Sequence, residues 1–565
     1  MRWGATPTGE GRTHFALWAP DRDAVSLVLD GAMTTPMVGG EDGWFMLTTD
    51  APAGTRYRFA LDADLAVPDP ASRAQSGGVH GWSVVVDPAA FRWRSHWVGR
   101  PWHEHVIQEL HVGLLGGFRA AIAQLAAIAE LGVTAIELMP VGAFSGTRNW
   151  GYDGVLPYAP AEAYGSPDDL RALVDAAHGH GLSVLLDVVY NHFGPDGNYL
   201  GSYAAGFFDS AADTPWGGAV AVDRDPVARY FIDNALMWLE DYRIDGLRFD
   251  AVHAIGNVAF LDTMAAEIRG RCSSRPVHLI LENEHNDPDR LAPARFDAQW
   301  NDDFHNVLHV LLTGEADGYY RDFAERPVER LARCLGEGFI YQGEVSPNLG
   351  LARGGPSAHL PPTAFVAFLQ NHDQIGNRAL GERLTLLTDT PRLRAATALL
   401  LLCPMIPLIF MGDDAGSETP FLFFTDFHDA LADAVREGRR REFARFPAFA
   451  DEAARKAIPD PNAVATFDTS RPAAGPAAAM WRDFYRRLLT LRRTRIVPHL
   501  PGTVSTGATV AGDRAVRAGW RLGNGATLTL LINLGDRDVA IDGEAELLFA
   551  SAAPGAPASL TAWLA

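Results

Sequence analysis

At 565 residues, with 47% apolar and 21% charged side chains, the chain can build roughly two to four packed domains and is too mixed in composition for a disordered or collagen-like polymer. Its 69 acidic against 48 basic residues give a formal charge of −21, a sign that repels phosphate backbones and anionic lipid heads, so neither nucleic-acid nor membrane partners are expected. Cys272, Cys334 and Cys403 are odd in number and widely spaced, which excludes a disulfide framework and a close-spaced zinc motif.

Buried reduced thiols in a cytoplasmic protein are the expectation, and no apolar stretch of signal-peptide length follows Met1. From Thr13 to Val86, short alternating segments such as His14 to Trp18, Val25 to Leu29 and Tyr57 to Leu61 are separated by Gly, Pro and Asp clusters. That pattern predicts a small antiparallel β-sandwich over residues 1–90. The stretch from Val67 to Trp82, rich in Pro, Ser and Gly, reads as a long surface loop.

Beyond residue 100, short apolar runs alternate with helical patterns. Strands are predicted at Val106 to Leu110, Ala135 to Met139, Ser183 to Val189, Gly246 to Phe249, Val277 to Leu281, Ala298 to Trp300, Phe365 to Leu369 and Leu408 to Met411. Phe118, Ile122, Leu125, Ala129 and Leu131 mark one helix face, and further helices are expected at Pro167 to His180, Arg229 to Tyr242, Val258 to Arg269 and Arg392 to Leu402. The α/β alternation predicts a (β/α)8 TIM barrel with insertions over residues 91–496. The rival, a doubly wound sheet, lacks a G-x-G-x-x-G turn after its first strand. Alternation resumes in Ala515 to Leu522 and Ala526 to Ile532, so residues 497–565 are read as a small C-terminal β domain.

Active sites of such barrels lie at the C-terminal ends of the strands, where polar residues following an apolar run carry the weight. Asp187, then Asn191 and His192, follow the third run; Arg248 and Asp250 share one face of the fourth; Glu282 ends the fifth; Gln370-Asn371-His372-Asp373 ends the seventh; and Asn149 to Asp153 follows the second. An Asp after a strand is also a common helix cap, and a lone His is more often structural. Taken together, Asp250, Glu282 and Asp373 converging with Arg248 suit glycoside hydrolysis, which needs one protonated and one ionised carboxyl group. Arg248 is expected to pair with Asp250, and Glu282, crowded by anions, to keep its proton. Glu284 competes for the role of Glu282, which is favoured because it directly follows the apolar run.

The segments Asp187 to His192, Gly246 to His253, Leu281-Glu282-Asn283 and Gln370 to Asp373 resemble, in order, the four signature segments of the α-amylase family of glycoside hydrolases. The resemblance implies Asp250 as nucleophile, Glu282 as acid/base and Asp373 as the carboxylate that fixes the distorted sugar. It implies sugar contacts from Tyr152, His192, Arg248 and His372, with Asp187 also expected in the substrate-binding set and His253 on the leaving-group side. Within the family, Glu109 to Gly113, Trp300 to His305, Gln374 to Arg378 and Pro420 to Phe427 look like the trehalose-releasing members. Trp300, Asp302, Asp303 and the segment from Phe421 to Phe427 are then expected to shape a trehalose site. Two departures are Leu114-Leu115-Gly116-Gly117, shorter than the usual loop, and Asp413-Asp414 in place of a glutamate pair.

The implied substrate is maltooligosyltrehalose, supplied by a trehalose-forming glucan isomerase, with no cofactor and no metal. A debranching or branching enzyme of the same family is the alternative, and an α-glucan-binding protein on a retired hydrolase barrel is the non-enzyme reading.

Overall fold

The computed structural model describes residues 3–32, 34–214, 217–444, 446–541 and 545–565. Eight parallel strands close into a barrel in chain order: β1 (Ile107–Leu110), β2 (Ala135–Leu138), β3 (Ser183–Val188), β4 (Gly246–Phe249), β5 (His278–Leu281), β6 (Ala298–Trp300), β7 (Phe365–Ala367) and β8 (Ile406–Phe410), which pairs back onto β1 through Ile107 and Leu408. All eight predicted strands are present, and the last begins two residues earlier than its apolar run suggests, with Pro407 inside it. Each strand is flanked on both faces, so its residues are buried throughout, which is why the runs are dominated by apolar side chains and the few polar ones, such as Asp187 and Arg248, stand out.

Ile107, Leu185, Ile280, Trp300, Val366, Ile406 and Leu408 fill the barrel interior. Two residues further along, the inward positions change character: Glu109, Glu137, Asp187 and Arg248 form the next layer, and Asp250 and Glu282 stand above it. This change of polarity along the strands turns a packed plug into a site.

The outer helices start where local chemistry dictates. α1 (Pro167–Gly179) carries Pro at its first turn and a reciprocal cap between Ser166 and Asp169. α2 (Asp225–Asp241), α3 (Val258–Arg271) and α4 (Asp302–Thr313) follow β3, β5's predecessor and β6, and α5 (Thr390–Leu402) is capped by Asp389. The helix face expected around Phe118 is divided into two helices, Phe118–Ile122 and Leu125–Leu131, and Ile128 rather than Ala129 is buried.

The N-terminal region forms two antiparallel sheets, and the C-terminal region a five-stranded antiparallel sheet beginning at Val504. The stretch from Val67 to Trp82 is not a surface loop. Asp69 is buried and accepts a hydrogen bond from Tyr57 at 2.6 Å, Val79 packs with Ala143, Val155 and Leu156, and the Gly77 and Gly78 amides donate to Glu162 at 3.0 and 2.9 Å. Its polar backbone finds partners on the barrel instead of water. Of the three free cysteines, Cys334 and Cys403 are buried and Cys272 is partly exposed. No described helix is long and apolar enough to cross a membrane, and the described residues contain no group of three His, Cys, Asp or Glu placed to hold a metal ion.

Candidate active site

Arg248 is the hub of the barrel mouth. Its Nη1 donates to Asp187 Oδ1 and Oδ2 at 2.8 and 2.7 Å and to Asp250 Oδ1 at 2.7 Å, while Nη2 lies 3.8 Å from Glu282 Oε2. The guanidinium stacks on Trp300 at 4.1 Å from the ring centre. One planar, permanently charged group therefore ties the third, fourth and fifth strands together and brings Asp250 and Glu282 to a common centre.

The turn after Asp250 completes the arrangement. Ala251 takes a left-handed conformation (φ 41°), so its amide donates to Glu282 Oε2 at 2.5 Å, and the Val252 amide donates to the Glu282 carbonyl at 3.0 Å. A non-glycine residue held there is strained, and the strain sits between the two carboxyls. Asp250 and Glu282 keep 14% and 16% of their side-chain surface open, and Asp373 keeps 43%, which is what groups that meet a ligand require. Burial, with Asp250, Asp302 and Asp373 adding to it, pushes the Glu282 carboxyl well above its ordinary range, against Arg248, which pulls it down.

Glu284 points elsewhere: its carboxylate lies 3.8 Å from His253 Nε2, and its amide donates to His253 Nδ1 at 3.3 Å. Burial lowers His253. Tyr152 is presented by Gly151, whose positive φ of 107° and contact with Pro140 exclude a side chain. The Tyr152 hydroxyl donates to Asp187 at 2.5 Å, and its ring stacks on His372 at 5.0 Å. Burial pushes Asp187 up to about 6, against the pull of Arg248. His192 Nε2 lies 3.0 Å from the Tyr152 carbonyl, and burial lowers this imidazole.

Several expected sugar contacts stand one layer back. Trp300 and Arg248 are fully buried in the barrel, Asp187 is consumed by Arg248 and Tyr152, and His192 and His372 are closed over, so these residues shape the floor through others. Asp303 is completely enclosed: it pairs with Arg353 at 3.0 Å and accepts from Asn286 and the Ile340 amide at 2.9 and 2.7 Å. Its neighbour Asp302 remains partly exposed, and burial, opposed by Arg353, pushes it up to about 7. Phe421, Phe424 and Phe427 are buried, and Phe421 stacks on Trp150 at 5.2 Å; Gly376 sits where a Cβ would lie 2.0 Å from the Trp150 ring. This aromatic segment buttresses the loop bearing Tyr152. Asp413 accepts from Gln370 at 2.7 Å and faces Arg383 at 3.3 Å, an internal brace.

Two residues were given no role by the sequence reading: Glu109, named there only within the segment Glu109 to Gly113, and Arg353. Glu109 holds both the backbone and the ring of His372, at 3.0 and 2.5 Å, and the strand-end rule applied to the first strand would have flagged it. Arg353, which also donates to the Glu284 carbonyl at 2.7 Å, lies in an irregular insertion and gave no signal.

A carboxyl biased toward its neutral form beside one paired with a fixed cation, at the open end of a (β/α)8 barrel, is what breaking a glycosidic bond demands, and it places the chain among the glycoside hydrolases. Residues 81–213 match the model of the alpha amylase catalytic domain, and residues 505–563 match a domain of unknown function. The malto-oligosyltrehalose trehalohydrolase of Rhizobium sp. (strain M-11) is 39% identical, with 94% of this chain and 93% of that protein covered; the one from Deinococcus radiodurans is 43% identical over 88% and 84%. A crystal structure from Salmonella typhimurium described as an alpha amylase superposes with a TM-score of 0.94 at 46% identity, covering 100% and 99% of the two chains. The chain belongs to the malto-oligosyltrehalose trehalohydrolase family, within the alpha-amylase glycoside hydrolases.

Proposed function

We propose that the protein cleaves, with retention, the α-1,4 glucosidic bond next to the terminal trehalose of maltooligosyltrehalose, releasing trehalose and a maltooligosaccharide. Asp250 attacks the anomeric carbon while the Glu282 O–H protonates the departing glycosidic oxygen, leaving a glycosyl ester on Asp250. Water then attacks the same carbon, Glu282 takes its proton, and the Asp250 carboxylate is regenerated. Asp373 holds hydroxyls of the distorted sugar. His253 and Asp302 lie on the side of the leaving disaccharide, and Tyr152 covers the sugar on the other.

The observation that carries this reading is the shared guanidinium: Arg248 keeps Asp250 beside it at 2.7 Å and reaches toward Glu282 at 3.8 Å, so a nucleophile and a proton donor can flank one anomeric carbon. The substrate must come from an isomerase that forms a trehalose end on an α-glucan, and we assign the protein to the cytoplasm. Incubation of purified protein with a trehalose-ended maltooligosaccharide, followed by chromatography, tests the reading. Free trehalose is expected, and Asp250→Asn should abolish it; release of glucose or maltose alone, or undiminished turnover by the variant, would refute it.

A further inference from the structure

We propose that Glu109 is a positioning residue that grips His372 from within the barrel and thereby keeps its imidazole cationic and turned toward Asp373. The proposal rests on the reading of Asp373 as the sugar-holding carboxylate.

Glu109 is buried on β1, two residues beyond the apolar plug residue Ile107. Its two oxygens act on a single residue: Oε2 accepts the His372 backbone N–H at 3.0 Å, and Oε1 meets Nδ1 at 2.5 Å. With Nδ1 so engaged, the other ring nitrogen, Nε2, lies 3.5 Å from Asp373 Oδ1. Tyr152 covers one face of the ring at 5.0 Å, and Trp150 meets it edge-on at 5.6 Å, so the ring cannot turn away.

The groups around His372 divide in sign. Glu109 on β1, Glu137 on β2, Tyr152 on the following loop and Asp373 in its own segment are acidic or neutral, Arg248 on β4 is cationic, and His111 beyond β1, which burial lowers to about 4, carries no charge near neutral pH. Burial and Arg248 act against a charge on the imidazole, and Glu109 and Asp373 act for it; the outcome is about 9. Glu137 supplies no second anion. It is the direct cross-strand neighbour of Glu109, yet neither of its carboxyl oxygens has a hydrogen-bond partner among the described residues, and burial followed by repulsion from Glu109 and Asp187 pushes it well above the ordinary range. Of these two adjacent acids, Glu109 is the one hydrogen-bonded to His372. The chain of action runs from Glu109 through His372 to Asp373.

Binding without turnover isolates this chain. In a Glu282→Gln background, the Kd for maltohexaose measured calorimetrically should weaken as pH rises through about 9, where His372 loses its proton. Adding Glu109→Gln should bring that weakening on about one pH unit or more lower. Glu109→Asp, which keeps the charge with a shorter reach, should recover part of the difference, and Glu137→Gln should leave the onset unmoved. An unmoved onset in Glu109→Gln, with a wild-type circular dichroism spectrum, would overturn the proposal, as would an equal movement in Glu137→Gln. If Glu109→Gln does not fold, His372→Gln decides: persistence of the weakening near pH 9 would exclude His372 as its source. Failure of the background protein to bind maltohexaose at any pH would instead refute the functional reading, and this proposal with it.

Discussion

Tyr152 lies nearly flat on His372, with ring planes 21° apart, while its hydroxyl donates to Asp187 on the opposite side. One side chain thus couples the loop after β2 to the ends of β3 and β7. Tyr152→Phe keeps the stack and deletes one hydrogen bond to a carboxylate, a contact of about 1.5 to 3 kcal/mol, so kcat/KM should fall by about tenfold or more. Tyr152→Ala removes both links and should fall further, mainly through KM. Equal rates for Tyr152→Phe and the wild type in steady-state assays would show that the hydroxyl plays no part.

Arg248→Lys preserves charge but not shape. A single ammonium cannot serve Asp187 and Asp250 while lying flat on Trp300, as the guanidinium does. Activity should drop by about a thousandfold or more, the scale of losing an electrostatic and positioning group together. A variant within about tenfold of wild-type kcat would mean that the planar fork is dispensable.

Arg353 makes a prediction about stability rather than chemistry. Its removal in Arg353→Ala leaves Asp303 enclosed without its ion-pair partner, a loss of about 3 to 5 kcal/mol in buried pairs. The melting temperature should fall by several degrees, and Asp303→Asn on the same background should recover part of it because the stranded charge is gone. Melting of the single variant at the wild-type temperature would contradict this account of the clamp.

Glu282 and Glu284 can be told apart by their neighbours. Glu282→Gln removes the proton donor and should lower kcat by a factor of about a hundred to ten thousand. Glu284→Gln alters the carboxylate that faces His253 and should change kcat by less than about tenfold. Reversal of that order in a side-by-side assay would move the acid/base role to Glu284.

The barrel was legible because strands covered on both faces are mostly apolar, and short buried runs such as those ending at Leu110, Leu281 and Trp300 recur between helical patterns, although Gln108, Glu109, His278 and Gln299 interrupt them. The carboxylates were legible for the complementary reason: Asp250 and Glu282 interrupt apolar runs at the residue where the strand opens to the site. What the pattern concealed was depth. Asp302 and Asp303 are adjacent and chemically alike, yet one is partly exposed and the other enclosed, because Arg353 arrives from an insertion fifty residues away in sequence. Trp300 looked like a sugar platform, but its strand position turns it inward under Arg248. The segment from Val67 to Trp82 misled for a related reason, since glycine and proline signal irregular backbone, and only tertiary contacts decide whether water or Glu162 satisfies it.

Asp302 gives the pH prediction. Burial brings its own carboxyl up to about 7, so above that pH it is an anion, and it is one of the charges that hold the proton on Glu282. The general acid works only while protonated, so kcat/KM should fall as pH rises through the Glu282 value. Asp302→Asn removes an anion from its surroundings, which stabilises the Glu282 carboxylate and lets the proton leave at a lower pH. The alkaline limb of the kcat/KM profile should therefore move toward acid in the variant, with the acid limb little changed. A limb that stays in place, or moves toward alkali, would mean that Asp302 does not act on Glu282 and that the charge balance drawn here for the leaving-group side is wrong.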